Sequence, residues 1–284
     1  MSPTDQKPPA SEANAYSQTL PHLKVSTKSS HQRWITLNNP EQSNAITDEM
    51  IGSLCAVLRQ ADFDPQIRVI VLTGAGKNFC SGGDVKAMQS RTGMFHGESN
   101  ELRLRYQHGI QQIPRTIEEM STPIIAMVNG AAIGAGCDLA MMCDLRVGSP
   151  GTKFGETFTK IGLIPGDGGT FFVQRVVGYA KAMEMTLTGD IYQGQAAKDF
   201  GLLNRLVDDA NLESETEKLA TQIAASPPVA QSLAKKAMKA AYLHDLQTSL
   251  DLLASYQGIA QRTEDHFEAL TANEEKRPPI FKGR

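Results

Sequence analysis

The sequence predicts an α/β fold with parallel strand pairing, followed by a helix-only C-terminal region. Three observations carry this. Arg68–Thr73 and Pro123–Val128 are short β-branched or apolar runs closed by Gly74 and by Asn129-Gly130, the pattern of strands buried on both faces. Segments with helical periodicity alternate with those runs, which favours parallel pairing through crossovers. After Ser226-Pro227-Pro228 the strand signals stop.

Taken in order, residues 1–24 carry Pro3, Pro8, Pro9 and Pro21 among polar residues and lack apolar periodicity, so they read as a disordered tail. Arg33–Leu37 alternates and runs into Asn38-Asn39-Pro40, a strand entering a turn. Thr47 caps a helix on which Met50, Leu54 and Leu58 recur every four residues. Leu102, Tyr106, Ile110, Ile113 and Ile117 trace one face of a long helix. Asp144–Val147 and Leu202–Val207 complete the strand series, giving a core over 25–225. In 226–284 three helices are expected, Val229–Leu243, Leu246–Arg262 and Glu264–Ala272, ended by Pro278-Pro279. No internal repeat is visible.

The bulk numbers narrow the function. A chain of 284 residues can bury one continuous core. With 28 basic and 31 acidic side chains the net charge is −3, which argues against nucleic acid as a partner. Cys55, Cys80, Cys137 and Cys143 lack zinc-ligand spacing, so they read as buried thiols in a reducing, cytoplasmic setting with no metal. The N-terminal tail has no Arg and contains Asp5 and Glu12, unlike a transit peptide. No apolar run reaches the ~20 residues of a membrane span.

Three segments carry chemistry. In Leu72–Val85 a strand runs into glycine turns and then Ser81-Gly82-Gly83-Asp84, where backbone N–H groups can approach a ligand. Asp84 taken alone reads first as a helix cap. In Val128–Asp144 a strand end feeds Gly134-Ala135-Gly136 and an apolar helix, whose free N–H groups suit a developing oxyanion. Asp138 sits in the first turn of that helix, where the dipole favours its ionised form. In Phe154–Thr170, a Pro165-Gly166-Asp167-Gly168-Gly169 turn follows Glu156, and Asp167 reads equally as a turn residue or an acid.

In this order and spacing the three segments, with Asn38-Asn39-Pro40, Asn44-Ala45 and Phe281-Lys282, resemble the crotonase (enoyl-CoA hydratase/isomerase) superfamily from about Val25 to Arg284. The resemblance implies a spiral of ββα units with a C-terminal helical trimerisation or lid region, a homotrimer or dimer of trimers, and an acyl-CoA substrate with no cofactor beyond its coenzyme A. It implies oxyanion-hole donors on Ser81 and Ala135. It puts the strip along CoA on Asn44, Ala45, Ser81, Gly82, Gly83, Asp84, Ala135 and Gly136, with Lys282 at the adenine end. Asp138 falls where hydratases of the family carry a catalytic glutamate, and Phe158 where they carry a second.

That replacement leaves one shortened acid and one ring. The expected activity is a hydratase-like lyase that adds water to a 2-enoyl-CoA through an enolate, as in fatty acid metabolism, with Asp138 as base. The alternatives are an isomerase using Asp138 or Asp167, and a non-catalytic CoA- or RNA-binding protein on the same scaffold. Glu156 is a third acid, which strand alternation points elsewhere. His96 reads as a solvated loop residue, Lys235, Lys236 and Lys239 as a solvated helix face, and Met141, Met142, Met183 and Met185 as core filler.

Overall fold

The computed structural model describes residues 20–28 and 31–284. Its elements in chain order are β1 (Leu23–Lys28), β2 (Gln32–Leu37), α1 (Asp48–Phe63), β3 (Val69–Gly74), α2 (Val85–Ser90), α3 (Ser99–His108), α4 (Gln112–Glu119) and β4 (Ile124–Val128). Then come β5 (Ala131–Ile133), α5 (Ala135–Met142), β6 (Leu145–Gly148), β7 (Lys153–Gly155), α6 (Gly169–Val177), α7 (Tyr179–Thr188), β8 (Ile191–Gln193) and α8 (Gly194–Phe200). The chain closes with β9 (Arg205–Leu206), α9 (Leu212–Ala224), α10 (Pro228–Ala240), α11 (Leu246–Ala260) and α12 (Glu264–Glu274).

Six strands form one sheet in the order β1-β2-β3-β4-β6-β9, antiparallel only between β1 and β2. The β3 run is buried throughout because both sheet faces are covered. Ile70 and Leu72 face a core shared with α1, α4 and α5; Val69 and Val71 face Trp34, Ile125 and the α9 residues Leu219 and Ala220. A second sheet, β5-β7-β8, lies beyond the C-terminal ends of β3 and β4.

Several expectations need adjustment. Residues 1–19 of the expected tail lie outside the described residues, and β1 begins at Leu23, inside that stretch. The expected long helix breaks at Gly109 into α3 and α4. Gly109 leaves helical geometry there, with φ −103° and ψ −113°. The Leu202–Val207 strand shrinks to two residues. The C-terminal helices match closely, but Lys235 and Lys239 are not a solvated face. Lys235 donates to Asp144 at 2.7 Å and to the Thr122 carbonyl at 2.8 Å, and Lys239 to the Ile117 and Glu118 carbonyls, so both pin α10 to the core. Met183 is 37% exposed and is not core filler.

Candidate active site

The site lies where the two sheets meet. Parallel bridging joins Cys80 to Ala132: the Cys80 N–H donates to Ala131 O and the Ile133 N–H to Cys80 O, both at 3.0 Å. This brings the first two glycine segments side by side. Gly82 adopts φ +82°, and a Cβ on it would meet Ile133 O at 2.6 Å and Ala135 N at 3.0 Å. Only glycine permits that approach. Asn44, fully buried, pins the loop from the other side: its amide donates to Ala75 O, Asn78 O and Phe79 O, and its carbonyl accepts from Asn39 N–H.

The Ser81 N–H donates to Ser43 O at 3.0 Å, and Ser81 does not line the chamber below. That amide is already spent, which differs from the sequence reading of Ser81 as a hole donor. Gly83, two residues on, does line the chamber, as does Ala135 at the first position of α5. Among the described residues no acceptor engages the N–H of either. The first N–H groups of a helix have no partner within it, so Ala135 offers a donor by position. Asp84 caps α2 by accepting from the Lys86 and Ala87 N–H groups.

The chamber is an apolar cleft. Met88, Met94, Phe95, Tyr106, Ile110, Phe158 and Leu163 form its walls, and Asp167 faces into it. Asp48 and Arg105 are its other charged lining groups. The Phe158 ring lies against Gly134, 3.7–3.9 Å from where a Cβ would stand. Met88, Phe95, Tyr106 and Leu163 also line an outer groove running past Gly97–Ser99, so the chamber opens along the polar stretch after α2. His96 is exposed and lines neither space.

Behind Asp167 stand the other two candidate acids. Asp138 and Glu156 are fully buried and Asp167 is 3% exposed. Asp138 is central, within side-chain hydrogen-bonding reach of both. Its carboxyl packs so closely on Gly169 that a Cβ there would overlap it. Neither Asp138 nor Glu156 lines the chamber. Glu156 directly follows β7 and, in keeping with the expected alternation, is turned away from the chamber, into the interior beside Asp138.

With all three carboxyls ionised, both Asp138 oxygens, both Glu156 oxygens and Asp167 Oδ1 find no donor. A proton on Asp138 supplies one. Burial, then the charges of Asp167 and Glu156, hold the Asp138 carboxyl well above the usual range. Burial also raises Asp167 and Glu156, offset in part by hydrogen bonds that favour the ionised form, from Asp138 to both and from the Cys137 thiol to Glu156, with the Asp167 charge raising Glu156 again. This corrects the expected ionised Asp138. A helix dipole contributes about 0.3–1 kcal/mol, at most ~2, whereas an uncompensated buried charge costs several.

The nearby thiols are neutral: burial pushes Cys80 up to about 12 and holds Cys137 well above the ordinary thiol range. All four cysteines are free and buried. Among the described residues no cluster of His, Cys, Asp or Glu has metal-holding geometry, and no helix is long and apolar enough to cross a membrane.

Lys282 is remote from the chamber. It lines a groove with Arg68, Asp62 and Asp64, and its backbone N–H donates to Asp265.

A family model described as enoyl-CoA hydratase/isomerase matches residues 30–284. The chain belongs to the enoyl-CoA hydratase/isomerase family. Among curated relatives of this crotonase-family enzyme, the 1,2-epoxyphenylacetyl-CoA isomerase of Escherichia coli is 36% identical over 250 residues, covering 88% of this chain and 94% of that protein. The mitochondrial enoyl-CoA hydratase of Pongo abelii is 37% identical over 250 residues, covering 87% and 82%. The crystal structure of an enoyl-CoA hydratase from Bacillus anthracis superposes with a TM-score of 0.86 at 32% identity, covering 93% and 100%. The chain is therefore an acyl-CoA enzyme with the crotonase-like α/β fold.

Proposed function

We propose that the chain is an enoyl-CoA isomerase that moves a double bond by proton transfer through one acid, Asp167. One observation carries this reading: of the three clustered carboxyls only Asp167 lines the chamber, and Phe158 stands there as an apolar wall. Two-acid hydration needs a second group that accepts or donates a proton at the water, and a phenyl ring does neither.

In the proposed step the ionised Asp167 takes a proton from the α-carbon of a 3-enoyl thioester. The C–H electron pair moves into a dienolate, whose oxygen is held by the N–H groups of Gly83 and Ala135. Protonated Asp167 then returns the proton to the γ-carbon, the pair closes as the 2,3-double bond, and the carboxylate is regenerated. A base of raised pKa suits proton abstraction from carbon near neutral pH. Two preorganised amides in an apolar cleft suit the enolate oxygen. The Ser81–Asp84 strip remains the proposed course of the CoA arm, with the buried Asn44-Ala45 supporting it from behind rather than lining it. Lys282, away from its own chamber, serves the nucleotide from the outer surface or toward a neighbouring copy.

We further propose a homotrimer or dimer of trimers. Leu246, Leu250, Leu253 and Ile259 on α11 are 44–75% exposed, an apolar stripe that assembly covers.

Hydration of a 2-enoyl-CoA remains the second reading, favoured by the hydratase names among the relatives. Purified protein is given crotonyl-CoA and a 3-enoyl-CoA while the conjugated enoyl-thioester absorbance is followed. The isomerase reading expects absorbance to rise from the 3-enoyl-CoA and to hold steady with crotonyl-CoA. Loss of crotonyl-CoA absorbance with an inert 3-enoyl-CoA overturns it.

A further inference from the structure

Asp167 lies in the turn Pro165-Gly166-Asp167-Gly168, outside any helix or strand. A proton passes between carbon and carboxylate over a heavy-atom distance of about 2.6–3.2 Å, so the turn that carries the acid has to be held in place. Its own bonding is slight. The Gly166 N–H donates to Ile164 O at 2.7 Å, a contact within the segment. Among the described residues, one hydrogen bond reaches the backbone of residues 164–167 from another element: the Gln111 side-chain amide donates to Gly166 O at 2.8 Å.

Packing converges on the same turn from the same place. A Cβ on Gly166 would stand 3.2 Å from the Tyr106 ring, and one on Gly168 3.4 Å from Pro114. Tyr106 is on α3, Gln111 caps α4 and Pro114 is in its first turn, so all three belong to the α3–α4 junction. In one continuous helix Gln111 would stand roughly 140° around the axis from Tyr106, and the two could not grip one glycine. The break at Gly109 lets them. It is also stiff: across it the Gln111 N–H donates to Tyr106 O at 3.1 Å, and the Gln112 side chain to Gln107 O at 2.8 Å.

We propose that the α3–α4 junction positions Asp167, with Gln111 as the positioning residue: its amide holds the Gly166 carbonyl while Tyr106 and Pro114 close on the glycines to either side. The inference rests on Asp167 being the working acid. Asp138 steadies the carboxyl, and the junction steadies the backbone beneath it. Tyr106 and Ile110 also line the chamber, so the wall that meets the acyl group and the grip that holds the acid are two sides of one bend. Gln111 does not line the chamber, so its loss reaches the substrate through Asp167.

The test is single-turnover conversion of a saturating 3-enoyl-CoA by the parent, Gln111→Met and Gly166→Ala, each with protium and with deuterium at the α-carbon. Thermal unfolding and CoA-thioester affinity are measured on each sample. Gln111→Met keeps the length of the side chain and removes the donor. Its rate constant falls by roughly 10–100-fold, the range for a reacting group displaced by up to about 1 Å, and its affinity stays within about threefold. Its isotope effect is at least as large as the parent's, because the slowed step is removal of the α-proton.

Gly166→Ala keeps the Gln111 donor and presses on the Tyr106 ring from the other side. Its rate constant falls by about tenfold with affinity retained, and it supplies the test if Gln111→Met does not fold. A merely structural junction would lower Tm and the amplitude of conversion, which counts active molecules, and leave the rate constant as in the parent. That result, a loss confined to affinity, or an isotope effect smaller than the parent's overturns the inference. Asp167→Asn separates the two claims: turnover surviving that change defeats the working-acid reading itself, whereas its loss beside a parental rate constant in the folded Gln111→Met or Gly166→Ala variant defeats only the role of the junction.

Discussion

The acid cluster and the C-terminal helices break the usual division between inside and outside in opposite directions. Asp138, Glu156 and Asp167 are buried polar groups short of donors. On α11 and α12, Leu246, Leu250, Leu253, Ile259, Phe267 and Leu270 are large apolar groups short of cover. Each is unfavourable in the isolated chain. The deficits are met differently. Protons satisfy the cluster, so its behaviour depends on pH and on chemistry in the chamber. In the proposed assembly another copy of the chain covers the helices, so their behaviour depends on concentration.

Changes that touch one region and spare the other test this contrast. Outside the acid cluster the largest effect is expected at the oxyanion donors. Ala135→Pro deletes one N–H at the first position of a helix, where proline is best tolerated. Turnover should fall by roughly 10²–10³-fold, as for loss of one such donor, with assembly intact by light scattering. A mild loss would mean that Ala135 is not a donor.

On the other side of the contrast, Leu250→Asp with Leu253→Asp should turn the oligomer into monomers at micromolar concentration. Light scattering that finds the parent already monomeric contradicts the assembly.

Asp138→Asn sharpens the contrast within the core. A carboxyl whose pKa is raised by folding holds its proton longer in the native than in the unfolded chain. Stability therefore falls as pH rises from the ordinary aspartate range towards the native pKa. Asn removes that penalty, so the gain in Tm should be larger at pH 8 than at pH 5. Turnover should fall by about tenfold or less, because the amide still donates to Asp167. A lowered Tm at pH 8 would mean that Asp138 is ionised in the native protein.

The smallest effect is expected at Ser81→Ala. The hydroxyl makes one hydrogen bond, of 3.3 Å to Gln42 O. Stability should move by less than about 0.5 kcal/mol, as for surface changes generally. A large loss of turnover with intact folding would make the hydroxyl chemical.

What the sequence made legible follows from the range of the forces involved. β3, β4 and the three final helices come from local periodicity, and Thr47 caps α1 as expected. Strands β5, β7 and β8 are three residues each, too short for a period to appear, yet they build the wall behind the site.

Ser81-Gly82-Gly83 was visible as a ligand-facing strip. Which amide faces the chamber depends on the left-handed turn at Gly82 and on Ser43 capturing the Ser81 N–H, and Ser43 lies 38 residues away in the chain (81 − 43). The break at Gly109 had a signal in the glycine itself, outweighed by the apolar face running across it. Asp138, Asp167 and Glu156 were each visible as acids. Their meeting was not, because it joins α5 to the turns after β7 and before α6.

The proposed mechanism turns on which acid meets the substrate. Asp167→Asn and Asp138→Asn are compared with the parent in single-turnover conversion of a saturating 3-enoyl-CoA, read by the conjugated enoyl-thioester absorbance. The account predicts a fall of roughly 10²–10⁴-fold for Asp167→Asn, the usual consequence of removing a general base, with CoA-thioester binding retained and Asp138→Asn at least tenfold faster than it. Turnover that survives Asp167→Asn and is abolished by Asp138→Asn would contradict it.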